Sequence, residues 1–157
     1  MTKRTSYKFN PFDLLDIDVP RDKKNAALKE AAEFVRDSIL DFVAQGKSPV
    51  KGFSDFKGLT TEYKAQKRKL GGAPKPNLEL EGDLLAALEA HVSGNQIEVG
   101  IFDSSQNGKA EGNNLGTYGT DSEFKPRRFI PVKDRGETFK QDIMNGIRDI
   151  LDDYSED

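Results

Sequence analysis

Three observations predict an α+β fold for this 157-residue chain. A stripe of apolar residues at helical spacing runs between Pro20 and Gln45, an alternating run marks a strand over 96–102, and a second helical stripe lies towards the C-terminus. In the first stripe Ala27/Leu28, Ala31, Phe34/Val35, Ile39 and Phe42/Val43 recur every three to four residues, which is one face of a helix of about six turns. Pro20 and Asp22 supply start signals, and Gly46 is placed to stop it.

Residues 1–19 show no clear period, although Phe9, Phe12, Leu14 and Leu15 are bulky. They are expected to form an arm that docks on the core or on a neighbouring subunit. The main domain then spans 20–152. Residues 46–58 read as a Gly/Pro/Ser loop, and 59–70 as a short, strongly basic helix ended by Gly71-Gly72. Pro74 and Pro76 forbid its continuation, and Asn77-Leu78-Glu79-Leu80 reads as extended. Asp83 to Val92 admits either a helix or the partner strand of a hairpin, with a short turn running into a strand preferred. Ser93-Gly94-Asn95 is a turn signal, after which Ile97, Val99 and Ile101 alternate, so that one face of a strand meets a core.

The span 103–124 is rich in Gly, Asn, Ser and Thr and reads as a long loop, a class that is usually either functional or disordered. Pro126-Arg127-Arg128-Phe129-Ile130-Pro131 is an extended stretch bracketed by prolines. Asp134 with Glu137 three residues on resembles a capping box. It is expected to open a final helix that presents Phe139, Ile143, Ile147, Ile150/Leu151 and Tyr154 on one face. The acidic end of that helix opposes the helix dipole, which predicts fraying after about Asp152 and a frayed tail over 153–157.

Composition narrows the function. Hydrophobic residues make up 35% and charged residues 32%, with mean hydropathy −0.70. A modest core is affordable, with some segments ordered only against partners. No apolar run reaches the length of a membrane span, and the basic first residues lead into no apolar leader segment. With no cysteine and one histidine, His91, thiolate sites and zinc sites built on two or more histidines are excluded. The net charge of −3 hides a segregation. Residues 57–75 carry six Lys/Arg against Glu62, a balance of +5, whereas 142–157 carry six acids against Arg148, a balance of −5. Such runs are either solvated faces or complementary patches for a neighbouring copy or nucleic acid.

No catalytic constellation emerges. Gly46-Lys47-Ser48 matches the tail of a phosphate loop, but the loop's first glycine would fall at position 41, where Asp41 stands. The spacing of Gly112, Gly116 and Gly119 is not a dinucleotide fingerprint. Asp16 and Asp18 suit a capping environment, and His91 lacks a triad-like context. No catalytic, cofactor or metal residue is assigned, and an enzyme is not expected.

The order of motifs carries a resemblance. Thr60-Thr61-Glu62-Tyr63 leads to Lys67-Arg68-Lys69, and Leu78-Glu79-Leu80-Glu81-Gly82-Asp83-Leu84 follows. Then come Ile97-Glu98-Val99-Gly100, Lys109 to Thr117, Pro126-Arg127-Arg128-Phe129-Ile130-Pro131 and the last helix. Over roughly residues 22–152 this is similar to the tail-completion and neck proteins of tailed bacteriophages, the virion-morphogenesis or head–tail connector family. Glu111 to Asn114 stand where that family often has a histidine. The resemblance implies an α+β protomer with both helices packed on a small antiparallel twisted sheet or partial β-barrel. It also implies a non-enzymatic virion structural protein, assembled in the host bacterial cytoplasm into a homo-oligomeric ring, a hexamer or dodecamer. The implied partners are portal, connector or tail proteins, with non-specific DNA contact in the lumen and no membrane. Lys64, Lys67, Arg68, Lys69, Arg127 and Arg128 are the interface or DNA-channel candidates. The alternative is a small nucleic-acid-binding module using the basic 57–75 and 125–135 segments, against which stand a pI near 5.3 and the lack of interleaved stacking aromatics.

Overall fold

The structure, a computed structural model, describes residues 5–53, 86–103, 105–106, 110–111, 114 and 128–155. Among these, a three-stranded antiparallel sheet carries one long helix on its apolar face and a second helix packed on the first. Strand β1 (Thr5–Phe9) leads into a short helix α1 (Pro11–Leu15), and after a 3₁₀ turn at Arg21–Lys23 comes α2 (Lys24–Ala44). Strands β2 (Leu88–Ser93) and β3 (Gln96–Ile101) form a hairpin, and α3 (Gln141–Ser155) closes the chain's described part. The strand order is β1-β3-β2. The α+β class, the long helix and the C-terminal helix read from the sequence are all present among the described residues. The expected basic helix over 59–70, the extended 77–80 segment and the end of the acidic tail lie outside the described residues.

Helix α2 forms for the reasons its sequence states. Ala27, Leu28, Ala31, Ala32, Val35, Ile39 and Val43 are buried along one stripe. The C-terminal stop is a Schellman motif: Lys47 N–H donates to the Phe42 carbonyl at 2.9 Å and Gly46 N–H to the Val43 carbonyl at 2.9 Å. Gly46 takes φ +74, the left-handed backbone that such a stop requires. The helix starts one turn late relative to Pro20 and Asp22, because the 3₁₀ turn intervenes and neither side chain caps the α-helical N–H groups.

In the hairpin, Ile97, Val99 and Ile101 are fully buried and Leu88 is buried beside them, so 88–93 is the partner strand. Gly94-Asn95 is the two-residue connection between Ser93 and Gln96. Arg36 of α2 donates through Nε to the Leu88 carbonyl at 2.9 Å, tying helix to strand where β2 begins.

Four expectations are corrected. Residues 5–15 take the first of the two docking modes expected for the arm, on the core, and so belong to the domain whose start was set at residue 20. Thr5, Tyr7 and Phe9 point into the core from β1, in register with Ile101, Val99 and Ile97. Tyr7 stacks on Phe9 with ring centroids 5.2 Å apart and meets Phe139 edge-on at 5.4 Å. Asn10 caps α1 by accepting from the Phe12 N–H at 3.0 Å, with Pro11 in the first helical position, and Phe12 is buried. Second, Asp134 and Glu137 open no helix. Lys133–Arg135 is a 3₁₀ turn, and Phe139 lies before α3 in a bridge to Val50. Third, α3 holds past Asp152 to Ser155. Leu151 is buried, Tyr154 half-buried, and the Ser155 hydroxyl donates to the Asp152 carbonyl at 2.8 Å, so packing outweighs the unfavourable dipole. Fourth, in the 103–124 span Asp103 is irregular as expected, whereas Ser105, Gln106, Ala110, Glu111 and Asn114 have helical backbone instead of the expected loop conformation.

At the end of β3 the Asp103 carboxylate accepts from the Ser105 hydroxyl at 2.7 Å and from its N–H at 2.9 Å. The hydroxyl bond first, and the N–H bond second, hold this carboxyl below its ordinary 3.8. The contact's contribution is therefore present above 3.8 and fades as pH falls through the lower folded value. Ser105→Ala is expected to move the Asp103 titration, followed by NMR, back towards 3.8.

Candidate functional site

Of the cationic candidates, Lys64, Lys67, Arg68, Lys69 and Arg127 lie outside the described residues. Arg128 is placed, and it is no surface cation: its side chain is 3% exposed. Its Nε sits 3.0 Å from Glu137 Oε1, an ion-pair contact in which the N–H is not aimed at the oxygen. Its Nη1 donates to the Asn114 carbonyl, and the guanidinium lies over the Phe53 ring, 4.8 Å from the centroid. Burial pulls this guanidinium below its ordinary range and Glu137 opposes that pull, so it stays cationic at neutral pH. A phosphate or a neighbouring subunit cannot reach it without displacing these contacts. Arg128 is thereby removed from the list of interface or DNA-channel residues.

Around Arg128 the polar groups form one connected cluster. Asn114, 3% exposed, accepts through Oδ1 from the Phe129 N–H at 2.9 Å and the Ile130 N–H at 3.0 Å, and donates through Nδ2 to the Ile130 carbonyl at 2.9 Å. Glu137 Oε1 also accepts from the Val132 N–H at 2.9 Å. Ser48 donates its hydroxyl to the Arg128 carbonyl and accepts from the Val50 N–H at 3.1 Å. Thus the Ser of the Gly46-Lys47-Ser48 tripeptide anchors backbone and faces no phosphate. Sequence reasoning met Ser48 only as the tail of a phosphate-loop tripeptide and Asn114 only within the 111–114 stretch, and it gave Glu137 a different task. The only available signal was the run of prolines around Arg127-Arg128-Phe129-Ile130, which denies that segment a ladder and leaves its backbone to side chains.

The arm candidates divide. Phe9 and Phe12 are core residues, Leu15 is half-buried, and Leu14 is 46% exposed. On the sheet face opposite the helices, Ser6 donates to Glu98 Oε2 at 2.7 Å. His91 stacks on Phe102 with ring centroids 4.3 Å apart and lies 3.8 Å from Glu89 Oε1. His91 is half-exposed there, a surface histidine. Asp16 ends α1 in left-handed backbone at φ +54, a helix-terminal role.

The acids of α3 occupy the surface. Asp142, Asp149, Asp152 and Asp153 are all exposed, while Ile143, Met144, Ile147 and Leu151 face inward. At 3.6 residues per turn, positions 142, 149 and 153 fall within about 40° of arc, one acidic stripe along the helix. Where α3 starts beside the end of α2, an open groove of about 350 Å³ is lined by Ser38, Asp41, Phe42, Gln45, Lys47 and Asp142. Through Asp41 it extends the acidic surface onto α2. No group of three or more metal-ligating side chains occurs among the described residues.

Comparisons with known protein families, with curated proteins and with solved structures return no match.

Proposed function

We propose that this chain is a structural protomer of a tailed-bacteriophage neck, a tail-completion protein that assembles as a homo-oligomeric ring at the head–tail junction and catalyses no reaction. The observation that carries the reading is the acidic stripe of α3, exposed on Asp142, Asp149 and Asp153, in a chain whose 57–75 segment bears the opposite charge. A closed ring needs two different, mutually complementary patches on each copy. The stripe supplies one such patch, and the Lys64, Lys67, Arg68 and Lys69 run has the sign of the other. The resemblance of its motif order to that of neck proteins adds to this. The nucleic-acid-module alternative loses support, since Arg128 is enclosed with Glu137 and unavailable to phosphate.

The test is assembly measured by light scattering, on the isolated protein and on purified connectors, as ionic strength rises from about 0.1 M to 1 M. Over that range the screening length falls from ~10 Å to ~3 Å. Ring formation is expected to weaken with salt, and the pair Asp149→Lys with Asp153→Lys is expected to abolish it while leaving the monomer folded. Assembly indifferent both to salt and to this charge reversal would count against the reading.

A further inference from the structure

The backbone of 128–132 is tied to the rest of the molecule in an unusual way. Phe129 N–H, Ile130 N–H and the Ile130 carbonyl are satisfied by the Asn114 side chain, Val132 N–H by Glu137, and the Arg128 carbonyl by Ser48. Every one of these bonds has a side chain on its far side; among the described residues the Val132 carbonyl alone of this segment accepts from main chain, the Arg135 and Glu137 N–H groups at the adjoining 3₁₀ turn. A strand ladder resists opening because each bond fixes the register of the next. Here the bonds depend instead on the rotamers of three side chains, and Arg128 links the residues that carry two of them by reaching the main-chain carbonyl of Asn114 and the carboxylate of Glu137.

We propose that residues 128–132, with Asn114, Arg128 and Glu137 as its clasp, form a cooperative unit of the fold that opens as one piece and separately from the β-sheet. Two physical features support it. A buried polar network is an all-or-none arrangement, since losing one member leaves the others desolvated and unpaired. Phe129 and Ile130 are themselves buried, so the segment is latched closed by its apolar side chains and located by its polar ones. The device does not depend on the ring reading. It concerns which part of the protomer releases first, whatever the protomer assembles with.

Amide hydrogen exchange on the full chain, resolved by NMR, tests it. In the wild type, the Phe129, Ile130 and Val132 amides are expected to share one opening whose denaturant dependence is shallower than that of Val99 in the central strand. In Asn114→Ala, Phe129 and Ile130 should exchange at least about tenfold faster, the cost of one lost buried hydrogen bond. Val132 should accelerate with them, although its own acceptor Glu137 is untouched. Val99 should accelerate distinctly less. If Val132 keeps its wild-type rate in that variant, or if all four amides accelerate equally, the unit does not exist. Should Asn114→Ala fail to fold, the wild-type denaturant series decides alone: a slope for 129, 130 and 132 equal to that of Val99 overturns the proposal.

Discussion

Arg128→Ala is expected to destabilise the protein by about 3–5 kcal/mol, because it leaves the carboxylate of Glu137 without its cation in a nearly enclosed site. Glu137 is 12% exposed and its partner 3%, so water cannot fully replace the guanidinium. The same substitution frees the Asn114 carbonyl of its donor and strips the cover from the Phe53 ring. Urea unfolding followed by circular dichroism would measure the loss. The ion pair need not be strongly stabilising for this to hold, since removing one partner costs far more than the intact pair contributes. Arg128→Met is accordingly expected to be as damaging as Arg128→Ala in its charge effect, recovering only part of the packing. Adding Glu137→Gln to Arg128→Met should restore stability, because the neutral amide keeps an oxygen for the Val132 N–H. A double variant no more stable than Arg128→Met alone would show that the buried charge is not the origin of the loss.

Gly100→Val carries the second large effect. Gly100 lies opposite Ser6 in the β1–β3 pairing, and a Cβ placed on it would stand 2.2 Å from the Thr5 carbonyl oxygen and 2.5 Å from Ser6 Cα. Both are backbone atoms of the paired strand, which cannot rotate away as a side chain can. Overpacking of this kind costs about 3 kcal/mol, and the route of relief is separation of β1. That would withdraw Tyr7 and Phe9 from the core, so proteolysis near the N-terminus should accelerate along with the fall in thermal midpoint. Gly94→Ala is the control. Its φ of +60 makes alanine unfavourable, yet nothing stands within 4 Å of the added Cβ, so about 1 kcal/mol is expected. Equal effects at the two glycines would remove the steric argument.

Some of this molecule is plain in its residues. The α2 stripe, the Gly46 stop, the alternation of Ile97, Val99 and Ile101 and the apolar face of α3 each repeat one period long enough to name an element. Strand β1 carries the same kind of signal in Tyr7 and Phe9 against Ser6 and Lys8. At five residues it is too short to stand out from the bulky but aperiodic stretch that follows. Glu137 shows a different limit. A local motif, Asp134 with Glu137, was matched correctly in spacing, but the carboxylate turned to a cation nine residues earlier in the chain, and no local rule contains that choice.

What the sequence by itself determined is the α2 stripe and its Gly46 stop, the alternating strand over 96–101 and the apolar face of α3, since periodicity depends on near neighbours alone. It also determined the absence of cysteine chemistry and the separation of charge between 57–75 and 142–157. Only the tertiary structure decided that residues 5–12 belong to the core, and that Arg128 is an enclosed structural cation while the acids of α3 remain on the surface. The reason is physical: a charged side chain advertises its charge in the sequence, but whether water or a carboxylate neutralises it depends on which distant segments fold against it.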